Sequence, residues 1–317
     1  MIQRHHLPLK NWDLVLKKTV SSDQIQKISC LEPALDKEHL ITGSSLGNLT
    51  FWKYADLLNI SEYKDMKISH SPISSLIYLN DGKIAFCGCE DGNIYKIDIT
   101  IFTAKSSTQL DFSIKALTYA LINDKLNLIA ASGTKIYEID YIKEKVLGSI
   151  NAHDNTITDL VYNQRKEILA SCSEDKTIKL WNLENKQPLG ILTGHVQGIN
   201  SICFAFSQKN FYIVSCAKDS YITFWNLSDK NLNRIEKMSS IGEKVIYVND
   251  KKSVICINKN GIFSLWNIEK ENEKKEFSIQ KSVYSAVTYF EDGRNLVLGN
   301  KNGVLEFWNT AAEEQTL

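Results

Sequence analysis

Two sets of side chains could do chemistry by residue type alone. His153, Ser171 and Asp175 make one, and His195, Ser215 and Asp219 the other. A histidine, a hydroxyl and a carboxylate are the parts of an activated nucleophile. Yet the trio occurs twice in succession. In both copies Asp follows Ser by four residues and precedes a tryptophan, Trp181 or Trp225, by six. A duplicated trio with a tryptophan attached reads as a structural relay, whereas an active site is expected once. Cys87-Gly-Cys89 is the one close cysteine pair, and no second pair or histidine cluster stands at zinc-like spacing. His5-His6 reads as a solvated terminus. The sequence has no Gly-rich phosphate loop. The chain is therefore expected to be no enzyme, with no metal, no cofactor and no small-molecule substrate.

The composition sets the frame for these residues. Of 317 residues, 43% are hydrophobic and 23% charged, as in an ordinary globular protein. Lys plus Arg and Asp plus Glu number 37 each, so the formal net charge is zero. Nucleic-acid binding through phosphates needs clustered basic residues, so nucleic acid is disfavoured as a partner. The seven cysteines are odd in number and sit mostly in apolar runs. Free cysteine behaves there as a small hydrophobe, and a reducing compartment follows, cytoplasm or nucleus. No segment reads as a signal peptide or reaches the roughly 18 apolar residues of a membrane span.

The elements that position the trios repeat along the whole chain. Alternating segments LTFWK, IYKID, IYEID, IKLWN, ITFWN, FSLWN and LEFWN place anchors at Trp52, Ile97, Ile139, Trp181, Trp225, Trp266 and Trp308. The gaps are 45, 42, 42, 44, 41 and 42 residues. Seven copies at this period exclude two ordinary domains and match a four-stranded propeller blade. Short β-branched and aromatic runs precede each anchor, with tight polar turns between them. An all-β, seven-bladed propeller of antiparallel blades is expected, with residues 1–317 as one domain.

The segments NAHD…LASCSEDKTIKLWN and TGHVQGIN…IVSCAKDSYITFWN resemble the WD-repeat family. The resemblance implies that His153, Ser171, Asp175 and Trp181 form a buried hydrogen-bond relay, with His195, Ser215, Asp219 and Trp225 as its second copy. The other repeats depart from the pattern. The second has His70 and Asp91, but Cys87 at the Ser position and Ile97 at the Trp position. The third lacks His and Asp. The first, sixth and seventh keep Trp52, Trp266 and Trp308, with Leu46, Asn260 and Asn302 in place of Asp. The Trp-Asp-x-Arg box of ubiquitin-ligase receptors and the Asp-box of propeller glycosidases are both missing.

After Trp308 only nine residues remain, too few for an outermost strand. Residues 8–18 are expected to supply it, closing the ring and packing Trp12 on blade seven, since an unpaired edge exposes backbone donors and acceptors. The charged run 269–276 reads as a solvated hairpin turn. WD-repeat proteins generally act as scaffolds that hold other proteins, often on the top face. The resemblance puts Ser45, Glu90, Ser132, Glu174, Lys218, Lys259 and Lys301 on that face. Lys218, Lys259 and Lys301, on blades five to seven, form a basic side suited to an acidic or phosphorylated segment, and Glu90 and Glu174, on blades two and four, are counted with them as candidate partner-binding residues. Asn155 and Gln197 complete the candidate surface. The expected role is a protein-interaction scaffold or adaptor in a multiprotein complex; the alternative is an RNA-associated factor, as in ribosome assembly.

Overall fold

The structure is a computed structural model. It describes residues 14–21, 26–34, 39–54, 60–79, 83–207, 209–228, 231–248, 252–269, 274–278, 283–289 and 295–310. These residues form 28 strands in seven antiparallel four-stranded sheets. The sheets are the blades of a seven-bladed propeller. Blades one to six run consecutively, from Ile28–Pro33 outward to Ile60–Lys67 in the first, for example. Blade seven takes its outermost strand from the other end of the chain. Leu14–Ser21 pairs antiparallel with Val304–Thr310, setting Leu16 opposite Trp308 and Ser21 opposite Val304. The N-terminal segment thus closes the ring as expected: the strand shares residues 14–18 with the expected 8–18 and continues to Ser21, while residues 8–13, Trp12 among them, lie outside the described residues.

The alternating sequence explains the layering. In blade four, Leu169, Ala170, Cys172, Ile178 and Trp181 are all buried, and the outer strand Gln187–Thr193 alternates exposed with half-buried positions. Each neighbouring pair of blades shares an apolar cluster, such as Ile28, Leu31, Trp52, Val297 and Phe307 between blades one and seven. Trp52 and Trp266 lie deep in these layers. Burying a large apolar side chain fully contributes about 1.5–3 kcal/mol. At the junction of blades seven and one the chains approach closely. A Cβ at Gly299 would stand 2.7 Å from Ile28 Cγ2, so this position has room only for glycine.

The charged run after blade six is a strand in part. Lys274–Ser278 is that blade's outer strand, and residues 270–273 lie outside the described residues. The Lys274 ammonium rests 5.0 Å from the centre of the Trp266 ring, so apolar packing and cation–π attraction both favour the strand.

Every inner strand carries one irregularity, where a single residue is skipped in the pairing with its neighbour. The skipped residues are Ser29, Ser74, Lys115, Thr158, Asn200, Glu243 and Ser285. Five of them reach the first carbonyl of the next blade's inner strand. Ser29 donates to Ile73 O and Ser74 to Ile114 O. Thr158 donates to Ile199 O at 2.6 Å, Asn200 Nδ2 to Gly242 O at 2.7 Å, and Ser285 to Ile28 O at 2.5 Å. Lys115 and Glu243, being long and charged, make no such bond among the described residues. The side-chain ring is therefore broken at two seams, between blades three and four and between six and seven.

Candidate functional site

The structure brings each His–Ser–Asp–Trp set together at one end of its blade. Trp181 Nε1 donates to Ser171 Oγ at 2.9 Å, and Ser171 Oγ donates to His153 Nε2 at 2.8 Å. His153 Nδ1 then donates to Asp175 Oδ2 at 2.7 Å. This direction of donation pairs every proton with an acceptor and requires the neutral imidazole. Blade five repeats the chain: Trp225 to Ser215 at 2.9 Å, Ser215 to His195 at 2.8 Å, His195 to Asp219 at 2.8 Å. Ser171 and Ser215 are fully buried, and both lone-pair and proton sites of each hydroxyl are engaged. No carbonyl carbon can reach such an oxygen. The carboxylates also hold the loops: the amides of Asp154 and Val196 donate to Asp175 and Asp219.

Burial disfavours the charged form of His153 and pulls its pKa below the usual value, against the attraction of Asp175. For Asp175, burial alone would raise the pKa; hydrogen bonds from Thr177 and His153 outweigh it and hold the carboxyl below its usual range.

The turns beside the relays form a ring of equivalent positions. Ser45, Glu90, Glu174, Lys218, Lys259 and Lys301 each donate the backbone amide to the residue just before their own blade's inner strand, such as Lys218 N to Gly198 O at 2.9 Å. Ser132 does not belong to this set. The blade-three turn is one residue shorter, Gly133 takes the position, and Ser132 is fully buried with its hydroxyl on Phe112 O at 2.6 Å. The charges do not stand apart as the sequence suggested. Lys218 Nζ lies 2.5 Å from Glu174 Oε1, and Lys115 Nζ lies 3.4 Å from Glu90 Oε1. Lys259 and Lys301 are exposed, and neither has an ion-pair partner among the described residues. The structure brings Asn155 under Ser173, whose hydroxyl donates to its carbonyl, and Gln197 is exposed.

The family model described as "WD domain, G-beta repeat" matches residues 144–182 and 186–226, the segments that carry the two complete relays. The chain is a seven-bladed β-propeller, and two of its blades match WD repeats. It is 25% identical to WD repeat-containing protein 55 of Arabidopsis thaliana, over 50% of this chain and 44% of the relative. Similarity to U3 small nucleolar RNA-associated protein 21 of Saccharomyces cerevisiae is 30% identity over 44% of this chain and 15% of the relative. Pre-mRNA-splicing factor PRP46 of Candida albicans is 32% identical over 26% of this chain and 22% of its own length. The chain thus spans less than half the length of each of these relatives.

The remaining blades keep the turn in place by other means. In blade two the buried residue that meets Asp91 is Ser69, whose hydroxyl donates to the carboxylate at 3.2 Å; His70 is exposed. Ser69 stands four residues before Ile73, as His153 stands four before Ile157, so the histidine is one place out of step. Where Asp is missing, the residue two positions earlier takes over. Asn258 Oδ1 accepts from the amides of Asn260 and Ile262, Asn300 Oδ1 from Asn302 and Val304, and Ser44 Oγ from Leu46 and Asn48. Trp52 keeps the relay's partner position, donating to Thr42, while two tryptophans find new partners: Trp266 donates to Ser264, and Trp308 to the Glu306 carboxylate that Tyr284 also meets at 2.6 Å. Asx and Ser turn motifs at these positions were the sequence signal for this. Cys87 and Cys89 both pack in the apolar layer between blades one and two.

Proposed function

We propose that the protein is a non-catalytic scaffold or adaptor within a multiprotein complex, residues 1–317 acting as one propeller domain. It holds an acidic or phosphorylated segment of a partner on its top face, over blades six and seven. The observation that carries this reading is the uncompensated pair Lys259 and Lys301, at equivalent turns of neighbouring blades, beside a Lys218 already neutralised by Glu174. Arranged cations at one rim of a rigid ring suit phosphate or carboxylate recognition. Seven free cysteines support a reducing compartment, nucleus or cytoplasm. Two relatives are named for a small nucleolar RNA and for pre-mRNA splicing, which supports a nuclear assembly as the host. The same names favour the second reading, an RNA-associated factor; the zero net charge weighs against direct RNA contact.

The test is binding of an acidic and phosphorylated peptide library, with lysate capture in parallel, to wild type and to Lys259→Glu/Lys301→Glu. Loss of peptide binding in a variant that melts normally supports the proposal. Equal binding moves the site to the rim. Capture abolished by RNase favours the RNA reading.

A further inference from the structure

The inner strands enclose a central cavity of about 460 Å³. Its polar groups are almost all accounted for. Lys244 Nζ lies 2.9 Å from Asp159 Oδ2, and Asp159 also accepts from Ser201 Oγ at 2.7 Å and from the amide of Ile202. Lys115 is paired with Glu90, and the Tyr247 hydroxyl donates to Phe206 O at 2.7 Å. Burial pushes the thiol of Cys30 up to about 12 and raises that of Cys203, so both stay neutral.

Glu32 is the exception. It stands four residues into its inner strand, and Ile77, Val161, Cys203, Ile246 and Thr288 occupy the same place on five others. All of them line the cavity. The result is a mostly apolar collar with a single carboxyl group in it. No hydrogen bond or ion pair reaches that carboxyl among the described residues.

We propose that this collar is a binding site for a primary ammonium group on an aliphatic stem, whether a lysine side chain of a partner or a free alkylamine. The stem would lie against Ile77, Val161 and Ile246, and the ammonium would meet the Glu32 carboxylate. Charge balance supports a cation: Lys244 and Asp159 cancel, so one added positive charge is neutralised by ionised Glu32. An anion would instead face Glu32 with Lys244 already engaged. Burial, opposed by the charge of Lys244, raises the Glu32 pKa to about 8. The carboxyl is therefore mostly protonated at pH 7, and an ammonium that binds displaces the proton, N–H hydrogen bonds to carboxylate replacing the O–H. The site lies inside the channel and does not depend on the top-face lysines.

Calorimetry of the full chain with cadaverine and with Nα-acetyl-lysine methylamide, in two buffers of different ionisation enthalpy, tests it. At pH 7 binding should release about one proton per ligand. Affinity should rise about tenfold per pH unit until about pH 8 and then level, because the ligand stays charged to about pH 10. Glu32→Gln should melt no lower than wild type and lose both binding and proton release. Preference for the lysine amide points to a partner's side chain, preference for cadaverine to a free amine. No binding of either up to about 10 mM, or equal binding by Glu32→Gln, overturns the proposal. A carbon-13 titration of the Glu32 carboxyl is an independent check: its midpoint should fall when the amine is added, and an unmoved midpoint rejects the site.

Discussion

Lys218 Nζ of blade five sits 2.5 Å from Glu174 Oε1 of blade four. The pair ties two adjacent turns and removes one lysine from the basic side of the face. Both side chains are partly exposed, so the pair is worth little energetically, about 0–1 kcal/mol. Lys218→Glu should therefore leave partner binding within about twofold of wild type, with a small loss of stability from two facing carboxylates. Lys259→Glu/Lys301→Glu should reduce binding at least tenfold, the loss of about 1.4 kcal/mol or more. Titration of the same peptide into each variant separates the two. Equal losses in both would show that the ion pair does not divide the lysines.

The relay predicts a graded series. Trp181→Phe keeps an aromatic ring in the core but removes the indole N–H donor and leaves a small cavity, costing about 1–2 kcal/mol. His195→Ala strands the buried Ser215 hydroxyl and the Asp219 carboxylate and opens a cavity, costing about 2–4 kcal/mol. Urea unfolding of both variants gives the ranking. A reversed order would mean that packing of the tryptophan, rather than the hydrogen-bond chain, dominates.

Two buried groups couple stability to pH in opposite directions. Burial keeps His153 below its usual 6.5 in the folded state. The unfolded chain takes up the proton first, so this contribution is complete above pH 6.5 and is lost as pH falls below it. Asp175, held below 3.8, contributes at all pH values above that and is lost only in stronger acid. Between pH 6.5 and 5, His153→Gln should lose less stability than wild type. Glu32 acts in the opposite direction. Its pKa is raised from 4.5 to about 8, so the folded state loses stability as pH rises through that window. Glu32→Gln should melt higher than wild type at pH 8.5 and close to it at pH 4.5. Parallel melting curves across pH would remove both assignments.

The broken side-chain ring predicts a gain rather than a loss. At Glu243→Ser a short hydroxyl would stand where Ser29, Ser74 and Ser285 stand in their blades, within reach of the next blade's first carbonyl. It should stabilise by about 0.5–1.5 kcal/mol, and Ser74→Ala should cost a similar amount. If chemical denaturation finds both neutral, the ring bonds merely replace equivalent bonds to water.

The anchor spacing carried the fold, because burial of a half-exposed strand imposes a period of two and the blade imposes one of about 42 residues. The complete relays in blades four and five were equally visible, since all four residue types stand at fixed offsets. The incomplete blades were harder for a physical reason: several short polar side chains can satisfy the same amides. Ser69 does in blade two what a histidine does elsewhere, and His70 beside it is displaced by a single place. Asn258 and Asn300 accept two amides each, a task otherwise divided between Ser173 and Asp175. The ion pair of Lys218 with Glu174 joins residues 44 apart, and no local pattern announces a contact between neighbouring blades.

The strand that seals blade seven also sets an order of events. Leu14–Ser21 leaves the ribosome before any complete blade, yet its partner Val304–Thr310 is the last of the propeller's strands to emerge. Until then the early strand has no mate and blade seven has an open edge. Contacts of such long sequence separation form slowly, and unpaired edges invite pairing with other chains. The nascent propeller is thus most vulnerable while its seventh blade is being made, the interval in which a chaperone would protect it most.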